Sequence, residues 1–330
     1  MKLAAIDVGS NAVRLLISNV YEMGEELPQV RKADLYRVPV RLGGDAFVRG
    51  SISAEVADRL VGTMKAFKIL MEVCGAEAHM ACATSALRSA DNGESLVARV
   101  RSEAGLDLEI IDGAREAELI ALNRLDERFR RGRHLFVDVG GGSTELTLLD
   151  RWRKTASRSF PIGTVRLKEG LVVDADWNGM KRWLKKRTRE MPGLAAVGSG
   201  GNINKIFKLT NKRQEEPLTR DELKRTIRHL ASLSLEERMV RVGLKPDRAD
   251  VIIPAGRVFS RVMKWAGIER LHVPQIGLSD GMIHHLYGVL KRGGAEAAEA
   301  TRRCGGAGPG RIGTLPGSRE SVAEMDPASF

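Results

Sequence analysis

Cysteine is scarce in this 330-residue chain: Cys74, Cys82 and Cys304 are the only three. Their spacing fits no metal-ligand pattern, and an odd, unpaired set suits a reducing cytoplasm. Disulfide staples and thiolate zinc sites are therefore not expected, and a cytoplasmic location is. Long apolar runs are also missing. No stretch of about 18 apolar residues exists, so no membrane span is expected. Residues 1–10 do not read as a secretory leader, because Asp7 interrupts the apolar stretch. Aromatic residues make up only 5% of the chain. No basic stretch is interleaved with aromatics in the way that base stacking requires, which argues against nucleic acid as a partner.

The hydrophobic fraction, 43%, supports ordinary packed cores, and the length favours two domains over one. The net charge of +11 is spread unevenly. Residues 1–150 carry 19 Lys+Arg against 23 Asp+Glu, whereas residues 151–290 carry 28 against 14. A basic second half points to a polyanionic partner. A generally basic, solvated surface is the plainer alternative.

One phrase occurs twice. "AAIDVGSNAVRLLI" (residues 4–17) and "FVDVGGGSTELTLL" (residues 136–149) both run from apolar residues through Asp and Gly into a small polar turn, then back to apolar residues. Each reads as strand–turn–strand, followed by a third strand and then helices. Residues 30–42 supply the third strand of the first copy, and residues 154–160 that of the second. Helical spacing marks residues 53–74, with Ser53 as N-cap, and residues 94–104 and 114–129. In the second half it marks several segments between 219 and 265, and residues 278–290. The chain then divides into an α/β domain over residues 1–125, a related one over 126–293, and a Gly- and Pro-rich tail over 294–330 that is expected to be disordered. The helix at 278–290 is a candidate to pack back on the first domain. The repeat suggests that the two domains face each other across a cleft, each lending one turn.

Such turns suit phosphate. Glycine lets an anion approach the backbone, and successive N–H groups form an anion nest. Gly9, Ser10 and Asn11 supply the first turn, and Gly141, Gly142, Ser143 and Thr144 the second. An Asp at a strand end does not bind phosphate itself, but it can hold Mg²⁺ that bridges to phosphate. Asp138 and the nearby Glu145 are the candidate metal ligands, with Asp7 as a further one. Two more turns follow strands: "ATSALR", which ends in Arg88, and "GSGGN", which contains Gly200 and Gly201. Taken singly, each is as readily a hairpin turn or a helix cap.

The set "IDVGSNAVRLLI", "ATSALR", "DGAREAELI", "FVDVGGGSTEL", "FPIGTVRL", "VGSGGN", "RADVIIPAG" and "GLSDGMI" resembles the exopolyphosphatase / guanosine pentaphosphate phosphohydrolase family, in order from residue 4 to about 290. The resemblance implies two ribonuclease-H-like domains of the actin-like ATPase superfamily. It implies Mg²⁺-dependent removal of terminal phosphate from polyphosphate or guanosine pentaphosphate. By position, Glu116 matches the family's water-activating Glu, Asp138 and Glu145 its metal-binding and catalytic acidic pair, the two Gly turns its phosphate loops, and Arg88 a phosphate-contacting Arg. Two positions depart from the pattern: Ala12 removes a hydroxyl that many members carry, and Arg115 replaces an acidic residue beside Glu116. They leave open a sensor that binds guanosine pentaphosphate or tetraphosphate with little turnover. A homodimer is carried as a candidate assembly.

Overall fold

The computed structural model describes residues 1–23, 28–123, 132–151, 153–189, 191–292 and 313–314. They belong to two compact units, one from Met1–Asn123 with the chain from Leu278 onward, the other from Arg124–Gly277. The domain boundary expected at 125/126 lies outside the described residues. So does the expected disordered tail, apart from residues 313–314.

The first unit opens with an antiparallel meander, β1 (Lys2–Val8), β2 (Val13–Tyr21) and β3 (Gln29–Val38). Helices α1 (Leu42–Arg49) and α2 (Ala54–Val73) lead to β4 (Ala78–Ala83), which returns parallel to β1. Then come α3 (Ser85–Ser89), α4 (Gly93–Ala104), β5 (Glu109–Ile110) beside β4, and α5 (Gly113–Ala121). β1 is buried along nearly its whole length because it is paired on both edges and covered on both faces, hence its unbroken apolar sequence.

The second unit repeats the plan. β6 (Arg133–Val139), β7 (Thr144–Asp150) and β8 (Arg153–Phe160) form the meander. After α6 (Thr164–Lys168) and α7 (Asp174–Thr188), β9 (Ala195–Ser199) returns parallel to β6. The unit continues through α8 (Gly201–Lys208), β10 (Leu218–Thr219), α9 (Arg220–Ser232), α10 (Leu235–Val240), α11 (Pro246–Ala249), α12 (Ile252–Ala266) and β11 (Arg270–His272). Even the irregularity repeats: β2/β3 slip register at Ile17/Ser18, and β7/β8 at Leu148/Leu149. Phe207, Phe259, Val262 and Leu146 lie at the centre of this unit's core; Ile6, Leu15, Met64 and Phe67 do so in the first.

The last helix, α13 (Leu278–Arg292), rejoins the first unit and packs on β1 and α5. It approaches α5 so closely that a Cβ on Gly281 would sit 1.8 Å from the Leu119 carbonyl oxygen. Asp280 is paired with Lys32 at 2.6 Å. Beyond it, β12 (Gly313–Thr314) pairs parallel with β4.

The third strand of the first meander, expected to reach residue 42, stops at Val38. Pro39 offers no N–H, and Arg41 turns left-handed at φ 63°, so Leu42 begins a helix and is buried. Ser53 does stand at the N-cap of α2, but its hydroxyl bonds Asp45 instead of the helix amides. The helix expected over 114–129 is described as far as Ala121. Among the described residues, no helix is long and apolar enough to cross a membrane.

Two buried histidines give the first unit an acid-sensitive stability. Burial pushes His79 in β4 down to about 4, with Lys68 adding to this and Asp107 opposing it. Burial, then Arg115 and Arg292, pushes His285 in α13 down to about 4 as well. Both favour the neutral ring when folded, whereas the unfolded rings titrate near 6.5. The stability is complete above pH ~6.5 and is lost as pH falls toward ~4, by roughly 3 kcal/mol per ring at most. Urea midpoints measured across that window should fall with pH, and His79→Gln should flatten the slope. A midpoint that stays level in the unmodified protein would show that the rings are not held neutral.

Candidate active site

The first turn is tight: Gly9 N–H donates to the Ala12 carbonyl at 3.2 Å. Other parts of the first unit brace it. Gly43 N–H donates to the Ser10 carbonyl at 2.7 Å and Arg41 N–H to the Asn11 carbonyl at 3.1 Å. A Cβ on Gly43 would lie 3.0 Å from the Ser10 Cβ, so α1 comes this close only because the residue is glycine. The Ser10 hydroxyl bonds that of Ser85 at 2.9 Å, which ties "DVGSN" to "ATSALR". Arg88, half-buried, donates through Nη1 to the Ile111 carbonyl, one residue before Asp112 caps α5 by accepting from Arg115 N–H at 2.7 Å. Three motifs far apart in sequence are therefore linked in one unit. A guanidinium has five donors, so Arg88 keeps others for a ligand.

Glu116 lies in the first turn of α5 and is buried. Its neighbour Arg115 is held by two groups: Nη2 is 3.2 Å from His285 Nε2 on α13, and Nη1 is 3.5 Å from Glu118. A neutral His285 ring can accept from the guanidinium, in keeping with its lowered pKa.

The second turn has the same frame, with Gly140 N–H donating to the Ser143 carbonyl at 2.9 Å. It rests on the start of α6, where Thr164 N–H donates to the Gly140 carbonyl at 2.9 Å and Val165 N–H to the Gly141 carbonyl at 2.8 Å. In a trans peptide the N–H points opposite to the C=O. The Gly141 and Gly142 amides are therefore aimed away from α6, as a nest for an anion requires. A Cβ on Gly163 would meet the Gly141 carbonyl oxygen at 2.2 Å, so this seat exists only over a glycine. The Thr144 hydroxyl is committed to the Ile162 carbonyl.

The two turns differ at one register position. Asp7 stands opposite Arg14 across β1/β2, and the two form an ion pair at 2.5 Å. Asp138 stands opposite Glu145 across β6/β7, and carboxylate oxygens of the two lie within 4.8 Å. Like charges directly opposite on a sheet are destabilising. Such a pair persists where a cation offsets the repulsion. The Ser159 hydroxyl donates to Glu145 Oε1 at 2.9 Å and fixes its direction. Gly200, at φ 101°, leaves the other side of Asp138 open, since a Cβ there would be 3.1 Å from Asp138 Oδ1. Gly201 then opens α8. Hard oxygen donors in an open cradle fit Mg²⁺.

Asp7, considered as a further ligand, is engaged by Arg14. The structure also brings in residues that are not among the expected site residues: Gly43, Ser85, Ser159, Gly163 and His285. Of these, Gly163 and Ser85 sit inside quoted motifs. A short step along the chain from a Gly turn would have drawn attention to them.

Comparison with known proteins gives a consistent picture. The model of the Ppx/GppA phosphatase family matches residues 35–289. The chain is 29% identical over 306 residues to exopolyphosphatase 1 of Mycobacterium tuberculosis, covering 86% of this chain and 87% of that one. Exopolyphosphatase 2 of the same organism is 28% identical over 319 residues, covering 87% and 99%. Among solved structures, an exopolyphosphatase from Cytophaga hutchinsonii superposes with a TM-score of 0.73 at 25% identity, covering 88% of this chain and 98% of that one.

Proposed function

Because the chain belongs to the Ppx/GppA phosphatase family, we propose that it is an exopolyphosphatase that releases the terminal phosphate of inorganic polyphosphate with the help of Mg²⁺. At the level of reaction class it is a phosphoanhydride hydrolase. The observation that carries the finer reading is the Asp138–Glu145 pair beside a Gly-seated anion nest, where the first repeat has the neutralised Asp7–Arg14 pair.

Asp138 and Glu145 would hold the Mg²⁺, which when bound supplies positive charge against the terminal phosphate oxygens. The amides of Gly141 and Gly142, with the Ser143 hydroxyl, receive phosphate oxygens in one unit. Gly9, Ser10, Asn11 and Arg88 are the phosphate-binding candidates of the first unit, and Gly200 and Gly201 at the start of α8 add to those of the second. Glu116 takes a proton from the attacking water as its oxygen bonds to the terminal phosphorus. The bridging P–O bond breaks, and the electron pair leaves on the shortened chain. Positioning and electrostatics supply most of the acceleration, as is usual for phosphoryl transfer. Ser159 keeps Glu145 directed, and His285 keeps the Arg115 cation in place.

Guanosine pentaphosphate ends in the same anhydride and is a second candidate substrate; a sensor of guanosine pentaphosphate or tetraphosphate would bind it without turnover. Phosphate release from long polyphosphate and from guanosine pentaphosphate, side by side with and without Mg²⁺, tests all three readings. Asp138→Asn should raise the Mg²⁺ concentration needed for half-maximal rate and weaken phosphate binding together, since it removes a charged ligand. An unchanged Mg²⁺ dependence in that variant would remove Asp138 from the metal site.

A further inference from the structure

The second unit carries a basic face that the reaction above does not use. Helix α7 turns Met180 and Leu184 into the core, and Lys181, Arg182, Lys185, Lys186 and Arg187 out to solvent. From Lys181 to Arg187 the helix rises about 9 Å. Lys181–Lys185 and Arg182–Lys186 are like-charge i,i+4 pairs, which disfavour a helix. None of these five cations has an ion-pair partner among the described residues. Elsewhere on the same unit some cations pair within their own helices, as in Lys224–Asp221 on α9 and Arg241 with Glu237 of α10, and among the described residues no other helix of the unit gathers five exposed cations within seven residues. A solvated helix face needs no such excess.

The face extends onto the sheet. Trp183 of α7 meets Phe160 of β8 edge-on, with centroids 5.9 Å apart, and the Arg158 guanidinium lies over that Phe160 ring at 5.1 Å. β8 is the outermost strand. Its alternation places Ser159, which holds Glu145, on one face and Arg158 on the other, toward α7. Arg158 of the basic face is therefore the sequence neighbour of the residue that holds Glu145, on the opposite face of the edge strand.

We infer that the α7–β8 face is a second anchor for the trailing part of a long polyphosphate chain whose end is bound at the Asp138–Glu145 turn. The inference rests on the polyphosphatase reading above and adds a chain-length dependence to it. A short chain engages only the turn. A long one crosses the β8 edge and engages α7 too, and the second contact is intramolecular, so affinity rises without change at the reacting phosphate.

The test is Lys181→Gln, Arg182→Gln, Lys185→Gln and Lys186→Gln combined, with equilibrium binding measured for a long polyphosphate and for tripolyphosphate at two salt concentrations. Long-chain affinity should drop about tenfold or more and lose much of its salt dependence, while tripolyphosphate binding stays near its original value. Arg158→Gln alone should act in the same direction. A control that removes the same number of exposed charges elsewhere on the unit, at Lys208, Arg225, Arg228 and Lys245, should leave long-chain binding intact. Unchanged long-chain affinity in the α7 variant overturns the inference. So does an equal loss for both chain lengths or in the control. If the variant loses binding to a single-stranded oligonucleotide but keeps polyphosphate, the face is a nucleic-acid site and the inference is likewise overturned. Turnover measured in parallel separates the two readings. Absence of phosphate release from every polyphosphate sinks the hydrolase assignment, whereas the binding comparison still decides the anchor.

Discussion

Glu116→Gln is expected to cut phosphate release by about 10²–10⁴-fold, the usual worth of a general base, while binding of polyphosphate stays close to that of the parent. The substitution keeps the size and most of the hydrogen bonding of the side chain and removes its ability to take a proton. Three observations make Glu116 the residue to change. It is buried, so its carboxylate is shielded from bulk water. It lies in the first turn of α5. Its helix is located by several groups at once: the Asp112 cap, the Arg88 bond to Ile111, and the close seat of Gly281 against Leu119. A side chain on so constrained a helix has little freedom to be replaced by a neighbour. Single-turnover phosphate release and equilibrium binding, measured on the same preparation, separate the outcomes. If both proteins bind guanosine pentaphosphate tightly and neither releases phosphate, the chain is a sensor. If both hydrolyse at the same rate, Glu116 is not the base.

The repeated hairpin is legible in sequence because central strands paired on both sides must be continuously apolar, and because each Asp–x–Gly phrase ends such a strand. The register that sets Asp138 against Glu145 follows almost directly, since a four-residue turn between the strands leaves few ways to align them. What the sequence conceals depends on long-range placement. Nothing near Ser159 shows that it will face Glu145, because that contact is set by a second hairpin whose register slips at Leu148/Leu149. His285 meets Arg115 only because α13 returns to the first unit, and helical periodicity says which face of α13 is apolar, not which unit it covers. α1 is concealed for a local reason: Val38, Val40 and Leu42 continue the alternation of a strand, and the break at Pro39 and Arg41 is a matter of backbone angles. The Asp7–Arg14 pair is the most instructive case. Asp7 and Asp138 are equivalent by motif, and only the residue seven positions later gives them opposite electrostatic roles.

Gly163→Ala is expected to damage both stability and turnover. Gly163 has an extended backbone, φ −120° and ψ 165°, so alanine meets no conformational penalty there. The obstacle is space. Its Cβ would lie 2.2 Å from the Gly141 carbonyl oxygen and 2.4 Å from the carbonyl carbons of Gly141 and Gly142. All three are backbone atoms, so no side chain can rotate aside. Either the 140–143 turn lifts or α6 withdraws, and either movement stretches the Thr164-to-Gly140 and Val165-to-Gly141 bonds that aim the nest. Overpacking of this kind costs about 1–3 kcal/mol, more than the ~0.4–1 kcal/mol that alanine returns through the unfolded chain. A displacement of about 1 Å at phosphate-positioning groups can cost on the order of 10² in rate. Gly179→Ala is the matched control, since it stands within α7 with nothing inside 4 Å of its Cβ, and should hold or slightly raise stability. Urea midpoints and kcat for the two variants, compared with the parent, give the answer. A Gly163→Ala protein with parental midpoint and kcat would mean that the turn does not need its seat on α6, and the anion nest would lose its structural basis.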